Sequence, residues 1–141
     1  MKRIHQTLPL LAAAFFTTGT AYAAPPANLA GTSWSIQVDR DVTTLVITNQ
    51  GGPGGPGGPT CLQIQGDIGI TQIRGWYCPA TGRIHFRHNN LGSGATMQTF
   101  TGNVSDAGAA GEPLYMAGTV TVDNVGAGEF GEHNFSATTL E

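Results

Sequence analysis

CLQIQGDIGITQIRGWYCPATGRIHFRHNN, residues Cys61–Asn90, is the stretch whose reading decides the fold. It holds both cysteines, one of the two tryptophans, and three of the four arginines that follow residue 23. Two reversals divide it into three β-strands. Gly66–Gly69 and Pro79–Gly82 have the Gly, Pro and Asp content that lets a chain turn back on itself. Placing Cys61 opposite Cys78 puts Leu62 against Tyr77, Gln63 against Trp76 and Ile64 against Gly75. A second hairpin that pairs Cys78 with Arg83 puts Tyr77 against Ile84 and Gly75 against Phe86. One face then reads Leu62, Ile64, Ile73, Gly75, Tyr77, Ile84 and Phe86. The other reads Cys61, Gln63, Arg74, Trp76, Cys78, Arg83, His85 and Arg87. A slip of one residue in either hairpin would mix the two sets, so the separation selects this register. The same register brings the two sulfurs to one face of neighbouring strands, as a disulfide requires. With only two cysteines, a Cys61–Cys78 bridge is a stronger reading than a catalytic thiol and a spare.

Ahead of this stretch, Met1–Ala23 reads as a cleaved leader. Lys2 and Arg3 supply the positive start, Leu8–Phe16 the apolar run and Ala21-Tyr22-Ala23 the small-x-small cleavage pattern. The apolar run is too short for a permanent span, so no membrane anchor is expected. A chain beginning near Ala24 belongs to the periplasm or the medium, where a disulfide persists. Without the leader it has four arginines, no lysine and nine acidic residues, a net charge of −5. Such a chain is ill suited to gripping the phosphates of nucleic acid or anionic lipid.

The remaining 24–141 segment fits one domain. Glycine is frequent, with 21 in the whole chain, and no run shows apolar residues at helical spacing over three turns. The reading is all-β. Strands are expected at Ser33–Asp39, Thr43–Asn49, Thr96–Val104, Leu114–Val122 and Glu129–Thr138, besides the central three. Leu114, Met116, Gly118, Val120 and Val122 alternate with Tyr115, Ala117, Thr119 and Thr121. Phe130 and Phe135 differ in parity, which predicts a bulge near Gly131. Gly51–Pro59, GGPGGPGGP, reads as a flexible or polyproline-like loop, with a lid over a barrel mouth as its functional alternative. About eight short strands joined in series predict a single-domain antiparallel up-and-down β-barrel, with a two-sheet β-sandwich as the alternative. Closure would also remove edges that a lysine-free sheet cannot protect by charge.

Ala30-Gly31-Thr32-Ser33-Trp34 resembles the Gly-x-Trp opening strand of avidin-like and lipocalin-like barrels. Phe100-Thr101-Gly102, Tyr115–Thr119 and Gly131–Phe135 are similar to the last three avidin strands. Here the Trp follows the Gly by three positions, one more than usual. The resemblance implies a small secreted barrel of calycin type, and assembly into a homo-oligomer through outer barrel faces. Avidin-like sites carry several tryptophans and only Trp34 and Trp76 exist here, so no biotin-binding residues are carried over.

Two readings of function follow, from different classes. In the first, a small molecule occupies the barrel interior, lined by Trp34 and the apolar strand faces, through a mouth near the Gly/Pro loop; eight-stranded barrels either fill their interior or hold one such ligand. In the second, the barrel is filled and a protein partner meets the outer face that carries Arg74, Trp76, Arg83, His85 and Arg87. Arginine forks read carboxylate and phosphate bidentately, and Trp and Arg are enriched at binding hot spots. Alternation alone also predicts a polar outward face, with Trp76 packed beside the disulfide and the arginines paired to carboxylates. His85 and His88 lie three apart, hence on opposite faces, and cannot grip one metal together; Glu132 and His133 add no zinc spacing. No cofactor or metal is expected. The acid pairs Asp39/Asp41 and Glu129/Glu132 match no mechanism, and no nucleophile elbow or phosphate loop occurs, so an enzyme is the third reading.

Overall fold

Eight antiparallel strands follow one another in chain order and close into a barrel: β1 (Thr32–Val38), β2 (Asp41–Pro53), β3 (Leu62–Ile68), β4 (Thr71–Cys78), β5 (Arg83–Asn90), β6 (Thr96–Ser105), β7 (Tyr115–Asn124) and β8 (Glu129–Thr139). This computed structural model describes residues 24–55, 58–90, 96–105, 112–124 and 129–141. Residues 1–23, which the sequence reads as a leader, and residues 56–57, 91–95, 106–111 and 125–128 lie outside the described residues. The barrel closes through β1 and β8, where Trp34 pairs with Thr139 and Val38 with Phe135. The up-and-down barrel expected from the serial strands is therefore the fold, and the sandwich is not. Among the described residues no helix is long and apolar enough to cross a membrane.

The central register is the one that face separation selects. Leu62 pairs with Tyr77, Gln63 with Trp76 and Ile64 with Gly75; Cys78 pairs with Arg83, Tyr77 with Ile84 and Gly75 with Phe86. The first reversal is tighter than expected. Gly66, Asp67 and Ile68 stay in β3, and the turn consists of Gly69 and Ile70 alone. Gly69 takes φ +57°, which a two-residue hairpin needs at its first central position and which glycine reaches without steric cost. Two further expectations are corrected. β2 runs past Asn49 to Pro53, because shifts in register after Ile47 and after Gly51 let it keep pairing with β3. No bulge occurs at Gly131, since the β7–β8 ladder runs unbroken from Asn124 opposite Glu129 to Tyr115 opposite Thr138.

Inward parity builds one core from all eight strands. Trp34, Ile36, Leu45, Ile47, Ile64, Ile73, Tyr77, Ile84, Phe86, Phe100, Val104, Met116, Val120 and Phe135 are buried. Phe86 stacks on Phe100 at 4.6 Å between ring centroids, and Phe135 meets Phe100 edge-on at 5.3 Å. A void able to hold water would leave accessible area on its walls. Leu29, Trp34, Ile36, Leu45, Ile47, Tyr77, Phe86 and Val120 have 0 % accessibility, so the barrel around them is filled by its own side chains.

The barrel end beside the Gly/Pro segment is closed by residues 24–31. Leu29 is buried, with its N–H donated to Gln50 Oε1 at 2.8 Å, and Gln50 Nε2 donates to Ala27 O at 3.0 Å. Tyr77 Oη donates to Pro26 O at 2.7 Å. The sequence places a mouth at this end. The structure places a plug there, because the segment ahead of β1 turns inward and supplies Leu29 as the terminal core residue.

Candidate functional site

The outer face of β3–β5 gathers five of the six residues singled out as a binding set. Cross-strand pairing arranges them in two adjacent rows. One row runs Gln63, Trp76, His85, Thr101 and the next runs Gln65, Arg74, Arg87, Thr99. Arg83 stands beside the first row, opposite Cys78. Trp34, the sixth, points the other way. It is fully buried, and its Nε1–H donates to Thr32 Oγ1 at 2.8 Å, which in turn donates to Leu29 O at 2.6 Å.

Trp76 is the pivot of the outer face. His85 stacks on it from the β5 side, with centroids 5.4 Å apart and planes 17° from parallel, and the Arg83 guanidinium lies 5.9 Å from the indole centroid. From the β3 side comes the Gly/Pro segment. Gly55 lies so close that a Cβ built on it would stand 2.4 Å from Trp76 Cγ, and its φ is +73°. Only glycine fits there. The described residues on either side of Pro56 and Gly57 therefore form a strap on the outer wall, and three links hold them. Gly54 N donates to Cys61 O at 2.8 Å, Gln63 Nε2 donates to Pro53 O at 2.9 Å, and the Cys61–Cys78 disulfide joins Cα atoms 4.1 Å apart. Gly58–Thr60 form a single 3-10 turn leading into the bridge. Both cysteines are buried although they belong to the outward set. The expected bridge is present.

Between Trp76 and the strap's end lies a pocket of about 200 Å³, lined by Thr60, Cys61, Trp76, Cys78, Ala80, Thr81 and Arg83. A smaller polar recess of about 130 Å³ lies at the β2 register shift, lined by Thr48, Gln65, Gly66, Asp67, Gln72, Ile73 and Arg74.

Arg74, Arg83 and Arg87 dominate the charge of the face, and Asp67 on β3 shares the polar recess with Arg74. Arg74 and Arg87 are direct cross-strand partners, an arrangement that destabilises a sheet when the charges match. Among the described residues the sole contact between a basic and an acidic side chain within 4 Å is His133 Nδ1 with Asp39 Oδ2 at 2.6 Å, so no described carboxylate pairs with Arg74, Arg83 or Arg87. The bland alternative, arginines neutralised by neighbouring acids, is not what the described residues do. His85 feels this charge. Its pKa is lowered, first by partial burial and then by Arg87, while its Nδ1 contacts Thr101 Oγ1 at 3.1 Å.

His88 sits on the inward face near the opposite barrel end, as its parity predicts, and away from His85. Its Nδ1 meets Gln98 Oε1 at 3.3 Å, whereas the buried Nε2 has no partner. Among the described residues no cluster of three His, Cys, Asp or Glu side chains can hold a metal. Nothing in the sequence pointed to the strap on Trp76, because its contact is made by a glycine backbone. No protein-family model matches this chain, and no curated protein matches it. The closed eight-stranded barrel is compatible with the calycin-type architecture that the resemblance implies.

Proposed function

We propose that the protein is a secreted or periplasmic binding module that engages an acidic protein partner through the outer face of β3–β5. The observation that carries this reading is the Arg74–Arg87 cross-strand pair, which no described carboxylate neutralises in a chain whose acids outnumber its basic residues. A fold keeps matched charges side by side at a cost, and an incoming pair of carboxylates removes that cost while forming charge-assisted hydrogen bonds. Trp76, held between His85 and Gly55, is immobilised before any partner arrives, which lowers the entropy lost on binding. The disulfide fits an oxidising compartment. An interior ligand is the weaker reading, because it would have to displace side chains that have no accessible surface.

Polyglutamate is a suitable probe. Wild-type protein is expected to bind it with an affinity that falls as salt rises. The Arg74→Gln/Arg87→Gln double variant should bind about tenfold more weakly or worse, the equivalent of one charge-assisted hydrogen bond. Arg40→Gln, which lies at the far β1–β2 tip, should leave affinity within about twofold of wild type, the scale of an exposed charge pair. Equal losses in the two variants would mean a diffuse charge effect and would remove the reason for naming this face.

A further inference from the structure

We infer that the pocket beside the disulfide is a specific subsite for an organic carboxylate carried on a small apolar body, with Arg83 as its anion receptor and Trp76 as part of its wall. The inference rests on the outer-face reading and narrows it from a charged surface to one seat. Size sets the first limit. About 200 Å³ exceeds the roughly 150 Å³ of an apolar cavity that takes benzene, so the pocket admits one ring or one branched side chain. Chemistry sets the second. The lining offers indole carbon, the buried disulfide and Ala80 as apolar surface, with a single cation, Arg83. No described acid pairs with that guanidinium, which lies over the indole, so its fork remains available to a carboxylate. A neutral guest would leave Arg83 unmatched, and a bare anion would leave the apolar wall wet.

The strap gives the subsite its rigidity. Gly55 presses against Trp76, and Thr60, at the strap's far end, lines the pocket next to Cys61. A side chain at position 55 must push the indole or the strap away, so the pocket is expected to lose its shape while the barrel stays intact.

The two indole Nε1–H resonances of the disulfide-intact wild-type protein report on this directly. Trp76→Phe identifies which is which, and Trp34 serves as an internal control because it is fully buried and bonded to Thr32. Benzoate is expected to shift the Trp76 resonance saturably and leave Trp34 still. Benzamide, which lacks the charge, and acetate, which lacks the body, should each bind about tenfold more weakly or worse. Arg83→Gln and Gly55→Ala should both abolish the benzoate response with the Trp34 resonance unchanged, and Arg74→Gln/Arg87→Gln should leave it within about twofold. A benzoate shift retained in Arg83→Gln, or benzamide binding as well as benzoate, overturns the subsite. If polyglutamate still binds through Arg74 and Arg87 while benzoate leaves Trp76 unmoved, the subsite falls and the broader face survives. Benzoate binding without polyglutamate binding has the reverse meaning.

Discussion

His88 carries one of two buried polar side-chain atoms without a partner among the described residues, the other being Asp123 Oδ1. With Gln98 Oε1 as the acceptor, the neutral ring carries its proton on Nδ1, and the buried Nε2 is left as an unpartnered lone pair. Its cross-strand neighbours, Ile73 on β4 and Gln98 on β6, bring no charge. Burial holds the His88 pKa below the usual 6.5, and the hydrogen bond to Gln98 offsets this in part. The sign follows. The unfolded chain takes a proton near pH 6.5 that the folded chain refuses, so stability is full above that pH and falls as the pH drops through 6.5 toward the folded value. Each withheld proton contributes a slope of at most about 1.4 kcal/mol per pH unit in that window. Urea midpoints between pH 5 and 7.5 should show the loss, and His88→Gln should flatten the profile relative to wild type. An unchanged slope in that variant would assign the effect elsewhere. His85 offers a separate test on the outer face. Because Arg87 is the second cause of its lowered pKa, Arg87→Gln should move the His85 titration upward, as read from its ring proton shifts. No movement would mean burial acts alone.

At the scale of elements, the strap and the disulfide behave as one unit. The bridge closes a loop with a sequence separation of 17 and ties the end of the strap to β4, next to Trp76. In the chain-entropy model such a loop contributes about 3 kcal/mol. Reduction should lower the unfolding free energy by that amount, read as a fall in the urea midpoint, and, in the still-folded protein, make Trp76 more accessible to iodide as Gly55 lifts away. A midpoint that falls without any change at Trp76 would show that the strap docks independently of the bridge. This unit also shows where sequence reasoning reaches its limit. The β3–β5 register was legible because apolar and polar residues alternate there without a fault, and only one register keeps Ile64, Ile73, Tyr77, Ile84 and Phe86 together. The binding set was legible as a face for the same reason. The strap was not, because GGPGG has no side-chain pattern and its decisive contact is a missing Cβ. The end of the first hairpin was misplaced because Gly66 looks like a turn residue, while the turn itself needs only the positive φ of Gly69. The N-terminal plug was hidden as well, since one leucine ahead of a strand carries no periodicity.

At the scale of the whole molecule, an eight-stranded barrel can act as a container or as a solid block, and parity does not distinguish them. Parity names the inward residues; whether their volumes fill the space is a property of the closed sheet. Here Trp34, Tyr77, Phe86 and Phe100 meet in the interior, and Leu29 seals the end where a mouth was expected. The described core around Leu29 and Trp34 is occupied by side chains, which is why the binding proposed above is placed on the wall, where the arginines and Trp76 stand. Trp34 tests that division. In a solid barrel its emission should be blue-shifted and insensitive to iodide, and apolar probes such as long-chain fatty acids should leave it unchanged. Leu29→Ala should cost about 2–5 kcal/mol, the usual range for a buried leucine, with the size of the residual cavity setting the value. That variant should also gain something the wild type lacks, a dry void beside Trp34 that binds benzene or xenon, seen as a ligand-dependent rise in melting temperature. If wild-type protein already shows that rise, or if a fatty acid quenches Trp34, the barrel is a container after all and the outer face loses its claim as the place of binding.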